Sequence, residues 1–264
     1  MTLSVNTNTT ASSSARMLNI NHAQLQRSLT KLSTGKRINT PADDAGGLAV
    51  SMKMSAAIRR NSAVQNNVSN AIAYLQTQDG ALETFGHILE RISELKMLSQ
   101  DITKNTTDKA NYSTEYKQLI AQLRNLQAEK FNDVRLFGAT LAAVAITEDG
   151  GQTVALNVIA VTAVVDAVSA GTLPSLQLTA VTTAIGNIAT FRATNGASSN
   201  RLQYALDMLA INKVNLEAAN GRILDADIAA ESTEFAKLQI LSQANSAMLS
   251  QANLLPQAAL RLIG

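Results

Sequence analysis

The 264-residue chain has no cysteine and no tryptophan, only two histidines, and aromatic side chains at 3% of its positions. Without cysteine, disulfides and thiolate metal sites are excluded. With so few aromatics, the 46% apolar fraction is mostly Ala, Leu, Val and Ile, which suits slender helix–helix seams rather than a thick globular core. No apolar run reaches the roughly 18 residues of a membrane span. The opening MTLSVNTNTTASSSAR lacks the basic region and apolar stretch of a cleavable signal peptide. This implies a cytosolic protein, or one exported by a route that uses no such signal. A formal net charge of +2 gives no reason to expect nucleic acid or a membrane as partner.

Catalytic chemistry is missing too. His22 and His87 lie far apart on helical stretches, and no zinc-protease, calcium-loop or phosphate-loop pattern occurs. Gly46-Gly47 follows two aspartates at a helix start, without the strand that a phosphate-binding loop requires. Asp225, Asp227, Glu231 and Glu234 are strung along a helix instead of converging as a calcium cage must. No enzymatic activity, cofactor or metal is expected.

What is present is helical texture at both ends. Leu18, His22, Leu25, Leu29 and Leu32 recur at steps of 4, 3, 4, 3 and stop at Gly35, a heptad seam. Its flanks are Asn, Gln, Ser and Thr, so alone it is marginal and needs a partner. The last arm answers with Phe235, Leu238, Leu241, Met248 and Leu249 before Pro256, where a break is expected. The arms differ in charge. Residues 1–60 hold eight basic side chains against Asp43 and Asp44, and residues 225–264 lean acidic; opposite signs favour association of the ends, within or between subunits.

Between the arms, Thr40-Pro41-Ala42-Asp43 predicts a helix start, with Thr40 as cap and Pro at the first helical position. The apolar pattern then runs from Val64 to Ile102, and about sixty residues of helix would span about 90 Å, a rod. A third helix carries Tyr112, Tyr116, Leu119, Leu123 and Leu126; a fourth carries Leu202, Leu206, Leu209, Leu216 and Ile223. Pairing these antiparallel gives a three-helix bundle. From Leu136 through Phe191 there is no Lys or Arg, and β-branched runs surround Glu148-Asp149-Gly150-Gly151, which predicts a β-hairpin in an insert of strands and turns. The insert is expected to pack onto the rod or a neighbouring subunit. The fold class is therefore mainly α, a long antiparallel coiled-coil rod of N- and C-terminal segments with a small β-hairpin-containing insert.

Several blocks carry a family resemblance. Val5-Asn6-Thr7-Asn8 is similar to an I-N-T-N opening, and KLSTGKRINTPADDAGGLAVS, Lys31 to Ser51, includes Arg37, Ile38, Asn39, Asp43, Asp44, Gly47 and Leu48. GRILDADIAAE, Gly221 to Glu231, and AKLQILSQANSAMLSQANLLPQAALRLI, Ala236 to Ile263, follow in order at the far end. Together they resemble bacterial flagellin, the filament subunit of the flagellum, over about 1–138 and 185–264. Gly221 departs from the family's usual Ser.

The resemblance implies a division of labour. Residues 1–40 and 225–264 would form the inner coiled-coil layer of a filament, 41–138 and 185–224 an outer rod domain, and 139–184 a small β-rich insert. Leu18, Leu25, Leu29, Leu32, Phe235, Leu238, Leu241 and Met248 would be the self-assembly seam. It implies a homopolymer, export through the flagellar type III apparatus without a cleaved signal peptide, a chaperone on the C-terminal arm, contacts with the filament cap and hook-associated proteins, and an extracellular filament for swimming. Leu89, Arg91, Glu94, Leu95 and Glu115 agree with a stretch recognised in many flagellins by the innate receptor Toll-like receptor 5, while Glu90 and Ser93 depart from it. The same residues also read as ordinary subunit contacts. The alternatives to a bulk filament subunit are a hook–filament junction protein of the same family and an enzyme or adhesin domain on a helical stalk.

Overall fold

The computed structural model describes the backbone of residues 7–263 and the side chains of residues 7–254; Val5 and Asn6 of the opening block lie outside it. The chain is mainly helical: α1 Thr9–Thr34, α2 Ala45–Ser99, α3 Thr106–Gln127, α4 Thr162–Ser169, α5 Leu178–Leu224 and α6 Ile228–Ile263. Two small antiparallel hairpins interrupt them, β1 Lys130–Phe131 with β2 Val134–Arg135, and β3 Val144–Ala145 with β4 Thr153–Val154. By contacts the chain divides into one unit of residues 1–56 and 216–264 and another of 57–215.

In the 57–215 unit, α2, α3 and α5 share one core. Val68, Leu75, Leu82, Phe85, Leu89, Ile92 and Leu95 of α2 meet Tyr116 and Leu123 of α3 and Val181, Ile188, Leu202 and Leu209 of α5 in a single buried cluster. Phe85 and Phe137 stack edge to face at 5.5 Å. Asn105 and Asp108 cap α3 reciprocally, satisfying two amides that a helix start leaves open.

The insert packs onto this core. Val154, Ile159, Val161, Leu173 and Leu176 are all buried in the same cluster. The predicted hairpin forms in register Val144↔Val154 and Ala145↔Thr153, with Gly150 at φ +72° in its turn. Arg60 clamps that turn to α2 by donating to both the Glu148 carboxylate (2.8 Å) and the Glu148 carbonyl (3.2 Å).

Strands do not continue through the rest of the insert. TAVVDAVS is the helix α4, because Val161, Val164, Val165 and Val168 recur at helical steps and are all buried; periodicity outweighs the modest cost of β-branched residues in a helix. The helix α5 starts at Leu178, before the expected end of the insert at 184. The β1–β2 turn, Asn132-Asp133, has both residues at positive φ, +47° and +65°, the two-residue geometry that favours Asn and Asp.

Two helix ends differ from expectation. The helix α2 begins at Ala45 rather than Pro41. Residues 40–43 form a turn closed by the Asp43 N–H donating to the Thr40 carbonyl at 3.0 Å, with Pro41 at its second position. Asp44, not Thr40, is the cap: its carboxylate accepts from the Gly47 N–H at 2.8 Å. At the other end, α6 runs through Pro256 to Ile263. Proline has no N–H for the carbonyl four residues back, here Ala252, and Asn8 supplies the missing donor from its Nδ2 at 2.8 Å.

Candidate functional site

Within the 1–56 and 216–264 unit, α1 and α6 pack along their length as an antiparallel pair. The direction is fixed by Asn8 bonding to Ala252 at one end and Lys31 pairing with Glu231 (3.6 Å) at the other. The inward-facing positions of α1 are Ala11, Ser14, Leu18, Asn21, Leu25, Ser28 and Leu32; those of α6 are Glu231, Phe235, Leu238, Ser242, Asn245, Leu249 and Ala252. Both sets step strictly by three and four, the knobs-into-holes repeat.

This seam departs from the predicted one at alternate places. Leu18, Leu25, Leu32, Phe235 and Leu238 face inward, and Leu238 is 3% exposed. Leu29 is 54% exposed, Leu241 39% and Met248 60%; they and the exposed His22 stand one residue off the stripe, where Ser28, Ser242 and Leu249 point in and Asn21 replaces His22. Spacing alone admits either of two adjacent residues, and the register of the whole helix decides which one faces the partner. The small and polar seam residues carried a weak signal, since polar seam places fix register at the expense of stability.

The consequence is a pair with apolar side chains on both its inner and its outer faces. The interior mixes leucine with Ser, Asn and Ala, while Met17, Ile20, Leu29, Ile228, Ile240, Leu241, Met248 and Leu254 remain exposed. Single exposed apolar residues are ordinary, and on this pair they number eight among the described residues.

The Lys31–Ser51 block builds a joint between α1 and the α5–α6 junction. Gly35 closes α1 in the left-handed conformation, φ +68°. Its carbonyl accepts from the Ala226 N–H (3.0 Å), the Arg37 N–H reaches the Leu224 carbonyl (2.6 Å), and the Arg37 guanidinium donates to the Ile223 carbonyl (2.8 Å). Ile38 is buried. A Cβ on Gly47 would lie 2.8 Å from Ile38 Cδ1 and too close to the Asp44 carboxylate, so any larger residue must displace the buried Ile38 side chain and the carboxylate that caps α2. Asn39 donates its side-chain amide to the Lys36 carbonyl (2.9 Å). Asp43 accepts from the N–H groups of Thr40 (2.9 Å) and Asn39 (3.1 Å) and from the Thr40 hydroxyl. The Thr40 N–H first, then the other two, hold the Asp43 carboxyl below its ordinary 3.8. Leu48, in the first turn of α2, is half-buried.

The acidic set near α6 is spread over separate tasks. Asp227 caps α6 by accepting from the Ala229 N–H (2.9 Å), Glu231 pairs with Lys31, and Glu234 with Lys237. Among the described residues no cluster of potential metal ligands occurs.

The receptor-type residues separate into two groups. Leu89 and Leu95 are fully buried in the core of the 57–215 unit and are not on offer to a partner. Arg91 bridges α2 and α3 at the surface, donating to Glu115 from Nε (2.7 Å) and to Glu94 from Nη1 (2.7 Å). Glu115 first, then Glu94, hold the guanidinium more firmly protonated than usual.

The chain matches the family model for the bacterial flagellin N-terminal helical region over residues 5–142 and that for the C-terminal helical region over residues 178–263. It is 35% identical to a flagellin of Halalkalibacterium halodurans, covering 98% of this chain and 99% of that one. It is 32% identical to a flagellin of Bacillus subtilis and 33% to the flagellar filament core protein flaB2 of Brachyspira hyodysenteriae, again over 98% of this chain and 99% of each relative. With both ends matched in order and relatives aligned over nearly their whole lengths, the chain belongs to the bacterial flagellin family.

Proposed function

We infer that this chain is a structural subunit of the flagellar filament, an extracellular appendage built by its own polymerisation. The observation that carries this is the α1–α6 pair, which covers one leucine-containing stripe on each helix and still leaves Met17, Ile20, Leu29, Ile240, Leu241 and Met248 exposed. Contacts of that kind, repeated between unlike patches of successive copies, propagate instead of closing. The relatives are named for flagellin and filament cores, which does not favour the hook–filament junction reading. Electron microscopy and sedimentation of the purified chain test the proposal. Long filaments are expected from the full chain and none from chains lacking residues 1–40 or 225–264; short, capped assemblies from the full chain would overturn it.

Within this reading, residues 1–40 and 225–264 supply the inner layer, 41–138 and 185–224 the outer one, and 139–184 decorates it. Leu18, Leu25, Leu32, Phe235 and Leu238 hold the arms of one copy together, and Leu29, Leu241 and Met248 meet other copies. Export passes through the flagellar secretion apparatus without a cleaved signal, with a chaperone on the C-terminal arm, and the finished filament meets cap and hook-associated proteins. A Toll-like receptor 5 contact would rest on Arg91, Glu94 and Glu115, with Leu89 and Leu95 acting only as support from below.

A further inference from the structure

The dipeptide Asn-Gly occurs twice in the chain, at 195–196 and 220–221. Both pairs lie inside the helix α5, and one falls in each of the two units. Glycine in a helix interior is destabilising relative to alanine. Packing does not require it at 196, where a Cβ would meet nothing within 4 Å; at 221 a Cβ would meet only the Asp225 carboxylate, with Oδ2 at 2.8 Å. The two asparagines are held alike. Asn195 is 3% exposed, and its Nδ2 donates to the Leu75 carbonyl of α2 at 2.8 Å. Asn220 is half-buried, and its Nδ2 donates to the Ser55 hydroxyl of α2 at 3.3 Å. In both, Oδ1 is buried without a partner, so folding leaves each amide short of a hydrogen bond that such groups ordinarily make.

Asparagine followed by glycine is prone to attack by its own backbone, because a glycine with no Cβ leaves the approach open. The glycine nitrogen gives its proton to a base and bonds to the asparagine Cγ. The Cγ–Nδ2 bond breaks, ammonia leaves, and a five-membered imide remains. Water then opens either side of the imide, giving aspartate or isoaspartate with no change of oxidation state. A wound helix blocks the first step. It commits the Gly196 N–H to the Arg192 carbonyl and the Gly221 N–H to the Glu217 carbonyl, and its fixed ψ does not close the ring.

We propose that Asn195 and Asn220 are sites of conformationally gated deamidation, silent while α5 is wound and reactive wherever it opens. Conversion at Asn195 also closes the way back. It replaces the Nδ2 donor by an oxygen facing the Leu75 carbonyl, and it puts a charge where the side chain is 3% exposed, which is disfavoured without a partner. Isoaspartate adds an atom to the backbone and breaks the helical repeat. Asn220 lies near the Leu224 end of α5, where smaller fluctuations suffice to open it, so it reacts first. A chain that lingers unfolded is thereby marked, and the mark at 195 keeps it out of the folded pool. The proposal is independent of the filament reading.

The test compares the full chain in native buffer and in concentrated urea at mildly alkaline pH, with conversion at each site read by peptide mass spectrometry. Both sites should react in urea. In native buffer Asn195 should react at least about 10³-fold more slowly, in line with the unfolded populations of small domains, and Asn220 at a rate between these limits. Gly196→Ala has room for its Cβ and should remove most of the reaction at Asn195 in urea without lowering the melting temperature. After the urea is removed, chains that regain the native melting transition should retain the Asn195 amide, and converted chains should collect among those that do not. Asn195→Asp, made directly, should melt below wild type. Equal rates at Asn195 in folded and unfolded chains, reaction at Asn195 before Asn220 in native buffer, no protection by Gly196→Ala, or converted chains that refold with the wild-type transition would each overturn the proposal.

Discussion

Asn8 performs two tasks at once, and the second exists only because of a proline 248 positions later in the chain. Its Oδ1 accepts from the Ala11 N–H (3.0 Å) to cap α1, and its Nδ2 donates to the Ala252 carbonyl that Pro256 leaves open. Asn8→Ala should remove a helix cap, about 1 kcal/mol, and orphan a partly buried carbonyl, about 1 kcal/mol more. If α1 and α6 pair only in the polymerised subunit, a loss of about 2 kcal/mol raises the critical concentration by about 30-fold. In a Pro256→Ala background the alanine N–H takes the Ala252 carbonyl, so Asn8→Ala should cost only the cap, about 1 kcal/mol or about fivefold. The cycle cancels whatever Pro256→Ala does alone. Critical concentrations of the four chains, from sedimentation, measure the coupling directly. Equal effects of Asn8→Ala in both backgrounds would refute the division of labour assigned to this side chain.

Three further outcomes follow from the geometry. Leu29→Gln or Met248→Gln should weaken filament formation by about 1–3 kcal/mol each while the circular dichroism of the dispersed chain is unchanged; a matching loss of helix would place these side chains in the intrachain seam. Gly47→Ala should destabilise the joint by about 1–3 kcal/mol, visible as faster hydrogen exchange at the Arg37 and Ala226 amides. The neighbouring Gly46→Ala, whose Cβ would sit 3.6 Å from Asp44, should be neutral or mildly stabilising, and equal effects at both glycines would count against the close-approach argument. The lowered Asp43 pKa means that its contribution is complete above the ordinary 3.8 and fades as pH falls through the depressed value. The Asn39 and Thr40 amide resonances should therefore titrate with a midpoint below 3.8, and a midpoint at or above it would contradict the hydrogen-bonded loop.

Much of this was legible in the residues because heptad steps and turn chemistry are local. Leu25 and Leu238 follow directly from spacing, as do the Tyr112–Leu126 helix and the Gly150 turn. What spacing leaves open is the choice between neighbours. Leu29 beats Ser28 on hydrophobicity, yet Ser28 is buried because a helix is rigid and its register is set by all its contacts at once. Thr40-Pro41 and Asp44-Ala45 are both plausible helix starts; the turn that Asp43 closes over Asn39 and Thr40 removes the first from contention. The β-branched run at 162–169 favours a strand by propensity but a helix by spacing, and the Asn132-Asp133 pair is itself a hairpin-turn signal. Leu89 and Leu95 mislead in another way, since a linear motif does not say which of its side chains a core will claim. Asn8, finally, could only be understood with Pro256 in view.

The separation of 244 positions between Asn8 and Ala252 also has a temporal side. At about 5–20 residues per second on the ribosome, the leading helix waits roughly 10–50 s before its mate is synthesised. Over that interval it is a short, Ser- and Asn-rich stretch that has little tendency to coil by itself. Late closure thus leaves α1 without its mate until α6 has been made.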